Sequence, residues 1–301
     1  MTGTRAPAGG PKAILLATDL SPRCDRALDR AVILAKQWNA ELVIVHVLET
    51  SASEGADLTV PSWRRPPDPA SVARRQLQMD VGEVAARARI VVEAGDPAEV
   101  TARVADERGC DLIVTGIARD ELLGRFLLGT TVDRLLRRSR VPLLVVRSRA
   151  SHPYRHVAVA TDFSEPSRHA LEVALRDFPG DAFSLFHAYD MRVSPLMDDA
   201  KAYRGQMQEA ARQKAAAFLA SMDLDAATRT QVRTFVEFGE PATVLRQGVK
   251  DLGVDLIVLG THGRGALLEV LVGSVAKDIL DQVPCDALLV RTPDRAEAQG
   301  G

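Results

Sequence analysis

The sequence predicts two α/β domains in tandem, each a parallel sheet with helices on both faces. Three observations carry this. Short, continuously apolar runs such as Glu41–Val47 and Asp111–Thr115 read as strands buried on both sides. They alternate with segments whose apolar residues recur at helical spacing, which calls for right-handed crossovers between parallel neighbours. The whole pattern then occurs twice. Ala17-Thr-Asp-Leu-Ser21 returns as Ala160-Thr-Asp-Phe-Ser164, 143 residues on. His46 returns as His187, and Glu93-Ala-Gly-Asp-Pro-Ala98 as Glu237-Phe-Gly-Glu-Pro-Ala242. Asp111-Leu-Ile-Val-Thr-Gly116 returns as Asp255-Leu-Ile-Val-Leu-Gly260, 144 residues on, and Val145-Val-Arg147 as Leu289-Val-Arg291. Offsets this steady mark a duplication joined near Ser148–Tyr154, not a solenoid of short repeats. The expected domains are residues 11–148 and 153–293.

In order, Lys12–Thr18 is a strand ending at Asp19, and Ser21-Pro22 is an N-cap with proline at the first helical position. Leu28, Ala31, Val32 and Ala35 mark that helix's buried face. Glu41–Val47 is the second strand. Residues 49–69, with Pro61, Pro66, Pro67 and Pro69, are a surface connection, although loops of this length often carry function. A helix over Ala70 to Gly82 leads to a third strand, Ala88–Glu93. Gly95-Asp96-Pro97 restarts a helix through Val100 and Val104, and Asp111–Thr115 is the fourth strand. Val132, Leu135 and Leu136 mark a helix, and Val141–Arg147 is the fifth strand, matched by Ala287–Arg291 in the second copy. Residues 1–11 and 296–301 read as a disordered lead-in and a frayed tail.

Composition narrows the function. The 301 residues are 46% hydrophobic and 26% charged, so a buried core is expected. The net charge of −2 gives no general pull toward nucleic acid or membrane. No apolar run reaches transmembrane length, and the first residues lack a signal peptide's apolar segment. Cys24, Cys110 and Cys285 form no CxxC pair, which fits a reducing cytoplasm. No cluster has metal-ligand spacing and no GxSxG occurs.

The chemistry lies between the fourth strand and the next helix of the second copy. There Gly260, Gly263 and Gly273 frame a loop, and Ser274 opens the helix marked by Ala276, Ile279, Leu280 and Val283. Glycines let a backbone approach a ligand closely, and a helix N-terminus offers unpaired N–H groups to an anion. From these residues alone, a phosphate loop and a glycine-rich turn with a serine cap are equally open. His262, within the loop, reads as an exposed imidazole.

Gly260-x2-Gly263-x9-Gly273-Ser274 resembles the ATP-binding signature of the universal stress protein family. It is not a Walker loop, since no Gly-Lys-Ser/Thr follows. The resemblance covers nearly the whole chain, in two copies. It implies Rossmann-like five-stranded sheets of order 3-2-1-4-5, with the ligand crevice where the order reverses between strands 1 and 4.

It further implies ATP or a related adenine nucleotide, with Mg2+ on its phosphates. Adenine would lie against Ala160, Thr161, Ala188 and Leu259. The phosphates would meet Gly260, Gly263, Gly273 and Ser274, with N–H groups of Val275 and Ala276. Asp162 would stand near ribose and metal; the plainer alternative is a helix cap. His46 and His187 are expected to pack or hydrogen-bond.

The first copy offers a weaker version: Ala17, Thr18, Asp19, Val47, Gly116, Gly129 and Thr130, with Arg119 in the place of Gly263 and Glu121 in that of Gly265. Arg119 can bind phosphate or fill its space. Arg134, Arg137, Arg138 and Arg140 on the following helix read as a solvated face, with a docking surface for an anionic partner as the alternative.

The resulting expectation is a cytoplasmic adenine-nucleotide-binding stress regulator. A slow ATPase or phosphotransferase and a partner-binding module with an empty crevice are the alternatives. The family commonly pairs through the fifth strand, so the two copies are expected to form an internal pseudo-dimer, with a homodimer and protein partners open.

Overall fold

The structure, a computed structural model, describes residues 10–22, 24–48, 67–82, 88–116, 119–120, 125–126, 130–178, 180–189, 200–261 and 273–292. The expected lead-in and tail, most of the proline-rich connection, and His262, Gly263, Gly265, Glu121 and Gly129 lie outside these residues.

The first half runs β1 (Ala13–Thr18), α1 (Asp25–Trp38), β2 (Glu41–Leu48), α2 (Pro69–Val81), β3 (Ala88–Ala94), α3 (Pro97–Glu107) and β4 (Leu112–Gly116). A small hairpin of β5 (Arg119–Asp120) and β6 (Arg125–Phe126) follows, then α4 (Thr130–Arg138) and β7 (Leu143–Val146). The second half runs β8 (His156–Ala160), α5 (Glu165–Asp177), β9 (Ala182–Tyr189), α6 (Ala200–Ala220), α7 (Ala226–Gln231) and β10 (Val232–Phe238). It ends with α8 (Pro241–Leu252), β11 (Leu256–Gly260), α9 (Ser274–Gln282) and β12 (Asp286–Val290).

Within each half the five main strands are parallel and follow the expected order, β3-β2-β1-β4-β7 and β10-β9-β8-β11-β12. The halves do not keep separate sheets. β7 and β12 pair antiparallel, giving one ten-stranded sheet with Leu144 opposite Leu288. These are the same position of each copy, so a pseudo-twofold axis passes between them. Leu143, Leu144, Val145, Ala287 and Leu288 are fully buried at the join. Each face of the sheet carries one apolar layer that crosses the axis. Ile14, Leu144, Val157 and Leu288 share one layer, and Leu15, Leu143, Ala158 and Leu289 the other.

Matched local bonds explain matched folds. Asp111 accepts from the N–H groups of Lys12 and Ala13, and Asp255 from those of Arg155 and His156. Each carboxylate thus latches the start of strand 1 to the entry of strand 4. Pro97 and Pro241 open α3 and α8 behind the side-chain caps Asp96 and Glu240.

The start of α1 differs from expectation. Cys24, not Ser21, is its N-cap, because the Cys24 N–H bonds to the Ser21 carbonyl and spends these residues in a separate turn. In the second half Ser164 does cap α5.

At the join the halves exchange arginines. The Arg147 guanidinium donates to the carbonyls of Leu280 and, at 2.8 Å, Val283, where α9 ends. Reciprocally, Arg291 donates to Ser139 O beyond α4, at 3.4 Å. Cations at helix C-termini satisfy orphan carbonyls and suit the dipole. Burial lowers the Arg147 pKa to about 10, against the opposing pull of nearby Asp281 and Asp286.

The first half's hairpin also crosses the boundary, with β6 lying against α9. Among the α4 arginines, Arg134 pairs with Asp96 at 2.6 Å and Arg137 with Asp133 at 3.0 Å, so much of that basic surface is internally balanced.

Candidate functional site

The carboxyl ends of β8 and β11 diverge where the strand order reverses, as open α/β sheets require of a ligand crevice. The segment leaving β8 is held by its own side chains. Thr161 Oγ1 accepts from Phe163 N–H at 2.9 Å and shares a 2.9 Å bond with Ser167 Oγ. Asp162 Oδ1 accepts from Ser164 N–H at 3.0 Å, and Phe163 turns through a φ of 62°. The carboxylate therefore braces its own turn, while Ser164 caps the helix. His187 Nδ1 lies 2.8 Å from Thr161 O; a carbonyl only accepts, so Nδ1 carries the proton.

The first half repeats this turn. Leu20 has a φ of 61°, Thr18 Oγ1 and Asp19 Oδ1 accept from Leu20 and Ser21, and His46 Nδ1 meets Thr18 O at 2.9 Å. Both strand-2 histidines are thus hydrogen-bonded props.

Across from this turn, β11 ends at Gly260 and α9 begins at Ser274. Gly273 is the N-cap of α9, and among the described residues no side chain caps the helix. α2, α3, α5, α7 and α8 all have a side-chain cap. The first N–H groups of α9 instead open into a cavity of about 520 Å³. Of the second-copy residues expected at the site, Ala160, Thr161, Asp162, Ala188, Leu259, Gly260, Gly273, Ser274, Val275 and Ala276 all line it. Gly263 lies outside the described residues.

Sequence reasoning missed Ser167, Phe186, Pro241, Leu245, Thr261 and Ile279, which with His187 complete the wall. The apolar part is firmly built. Phe186 stacks on Phe235 with ring centroids 4.8 Å apart and fits where Gly248 has no side chain.

The two described glycines of the loop have different reasons to be glycine. A Cβ on Gly260 would stand 2.9 Å from Pro166 O in the first turn of α5. Among the described residues a Cβ on Gly273 would meet nothing nearer than Thr261 O at 3.9 Å, and its φ of −56° suits any residue. Gly260→Ala is therefore expected to cost about 1–3 kcal/mol by overpacking. Gly273→Ala is expected to leave stability unchanged or slightly raised. Urea denaturation of both variants checks this, and equal losses would contradict it.

In the first half, Thr18, Asp19, Gly116 and Thr130 occupy the matching strand and helix ends. β5 begins at Arg119, so the backbone there is part of a hairpin, paired with Phe126. Cys24 takes the place of Ser167. Burial, with Asp19 beside it, raises its thiol to about 11. Burial likewise raises Cys110 to about 11 and Cys285 to about 12. All three cysteines are free thiols, held protonated near neutral pH and so poor nucleophiles. Among the described residues no His/Cys/Asp/Glu group could hold a metal, and no helix is long and apolar enough to cross a membrane.

The fold and crevice define a tandem Rossmann-type α/β protein with a small-molecule-sized cavity at a switch point. The family model of the universal stress proteins matches residues 11–147 and again 153–291. The chain belongs to the universal stress protein family. A putative universal stress protein of Staphylococcus haemolyticus is 33% identical over 153 residues, covering 48% of this chain and 88% of that relative. Two solved structures match across both halves. One is a functionally unknown protein from Pseudomonas aeruginosa, with TM-score 0.64, 17% identity and coverage of 93% and 92%. The other is a universal stress protein from Archaeoglobus fulgidus, with TM-score 0.59, 18% identity and coverage of 94% and 97%. At such identities they establish the fold alone.

Proposed function

We propose that the second half binds an adenine nucleotide, ATP in the first instance, and that the chain acts as a nucleotide-dependent regulator in the stress response. The observation that carries this is the uncapped N-terminus of α9 opening into a cavity beside Asp162. Unpaired N–H groups and the positive end of a helix dipole suit phosphate. Ala160, Phe186, Ala188, Leu245 and Leu259 supply an apolar slot for a flat base, and the cavity lies within the usual size range of ligand sites. Gly273, which neither its φ nor packing against the described residues requires, has room for close backbone approach. Mg2+ would travel with the phosphates, near the Asp162 carboxylate. Three free thiols fit a reducing cytoplasm.

The test is release of ligand from purified protein by heat, followed by mass spectrometry and calorimetric titration with ATP. Adenine nucleotide recovered unchanged supports the proposal. Steady conversion of ATP to ADP would favour the slow-enzyme reading, and no binding would leave the partner-binding module. Asp162→Ala is expected to weaken ATP binding about tenfold or more, the scale of one charge-assisted hydrogen bond. Unchanged affinity would limit Asp162 to bracing its turn.

A further inference from the structure

Among the described residues the ten-stranded sheet ends at two edge strands, β3 and β10, each with a row of backbone groups that no further strand pairs. Both carry the same charge pattern, an arginine four residues before a glutamate: Arg89 and Glu93 in β3, Arg233 and Glu237 in β10. The molecule uses the two pairs differently. Arg89 bonds to Glu41 on β2 at 2.9 Å, and Glu93 pairs with Arg103 of α3. Those charges are taken up within the chain. In β10, Arg233 and Glu237 are both exposed and neither has an ion-pair partner among the described residues. Arg233 only overhangs the Phe235 ring, at 5.3 Å.

The strand itself, Val232-Arg-Thr-Phe-Val-Glu-Phe238, has no proline, is rich in β-branched and aromatic residues, and ends in Phe238, 46% exposed. A groove of about 450 Å³ runs between β10 and α6, bordered by Arg212, Leu219, Thr234 and Glu237.

The pattern is self-complementary. Antiparallel pairing of β10 with β10 of a second copy, about a twofold axis at Phe235, sets Arg233 opposite Glu237 twice. It also sets Val232 opposite Phe238, Thr234 opposite Val236, and Phe235 opposite itself. Opposite charges and aromatic pairs directly across an antiparallel ladder are favourable, and like charges there are not. We propose that β10 is a homodimerisation edge, through which two copies join into one sheet of twice the width. The groove beside α6 gives the incoming strand's side chains room. β3, with the same residues already paired at home, is the blunted edge.

Sedimentation equilibrium of the full chain over micromolar concentrations tests this, with far-UV circular dichroism as the check that each variant is folded. The wild-type chain is expected to dimerise. Arg233→Glu and Glu237→Arg each place two like-charge pairs across the axis and should weaken the dimer about tenfold or more. The double variant R233E/E237R restores opposite signs at every pair and should recover the dimer. Arg89→Glu should leave it intact. A monomeric wild-type chain, a dimer indifferent to either reversal, or a double variant that stays dissociated would overturn the proposal. Loss of the dimer on Arg89→Glu but not on Arg233→Glu would overturn it in favour of β3.

Discussion

Replacing Asp286 by alanine is expected to lower the stability of the chain by about 3–5 kcal/mol, more than any other single carboxylate. Asp286 is fully buried at the join between the halves. Its Oδ1 accepts from the N–H groups of Arg147 and Ser148, both at 2.8 Å. Its Oδ2 accepts from the Tyr154 hydroxyl at 2.7 Å and lies 3.3 Å from Arg30 Nε. Arg30 also spans the Tyr154 ring at 3.9 Å and donates to His152 O at 2.8 Å. Burial, then the Asp286 charge, raises the Tyr154 pKa well above its ordinary value, so the phenol stays a donor. Alanine would leave two amides and a hydroxyl without their acceptor and the buried Arg30 guanidinium without its counter-charge. The melting temperature should fall on the order of 10 °C. Asp286→Asn keeps the shape and one acceptor but not the charge facing Arg30, so an intermediate loss is expected. A change below about 1 kcal/mol for alanine, the worth of an exposed pair, would mean that the cluster does not anchor the linker.

Saturating ATP is expected to protect the second half from unfolding more than the first, with about one tight site per chain. A ligand at 100 times its dissociation constant adds roughly 2.7 kcal/mol to the state that binds it. Hydrogen exchange read by mass spectrometry would localise the gain around β8, β11 and α9. The asymmetry rests on the stretch after strand 4. In the first half it holds the β5–β6 hairpin, with Arg119 where the second half has Gly263. Arginine at that position lacks the bare backbone that glycine offers to a phosphate. Gly263→Arg should imitate the first copy and remove most of the protection. Equal occupancy of both crevices would sink this reading and make Arg119 a phosphate ligand.

Most of the sheet was legible because strands buried on both faces and amphipathic helices leave opposite signatures. The order of the strands came from the family resemblance, and the structure bears it out. The join came from the resemblance as well: the fifth strands, expected to pair internally, form the β7–β12 ladder. Leu143–Val146 and Asp286–Val290 show by composition that both faces are covered, but composition is silent on what lies at the edge. α6 escaped notice because its buried residues, Ala211, Ala215, Phe218 and Leu219, keep helical spacing but are half alanine, and Ala210, Ala216, Ala217 and Ala220 on the exposed side erase the contrast. The β5–β6 hairpin is two residues per strand, too short for any pattern.

At the crevice, strand ends and the helix start were legible, and they fall together. Phe186, Leu245 and Ile279 were missed because an apolar residue lining a ligand slot looks the same in sequence as one in the core. Gly260 taught the converse. It looked like a loop glycine, and the contact that requires it is with the first turn of α5.

The antiparallel join of β7 to β12 frees this molecule from a rule that binds homodimers. When two identical chains pair, every substitution at the interface appears twice, and a feature good on one side must be tolerable on the other. Here the linker keeps the halves together at about millimolar effective concentration, whatever the abundance of the chain. One-sided inventions can then survive. Asp286, Arg30 and Tyr154 stand at repeat positions held in the other copy by Pro142, Val173 and Pro11, so their anchor exists once. The same freedom lets the stretch after strand 4 diverge, with Arg119 and Glu121 in one copy against Gly263 and Gly265 in the other, a division of labour that a symmetric pair has no means to encode.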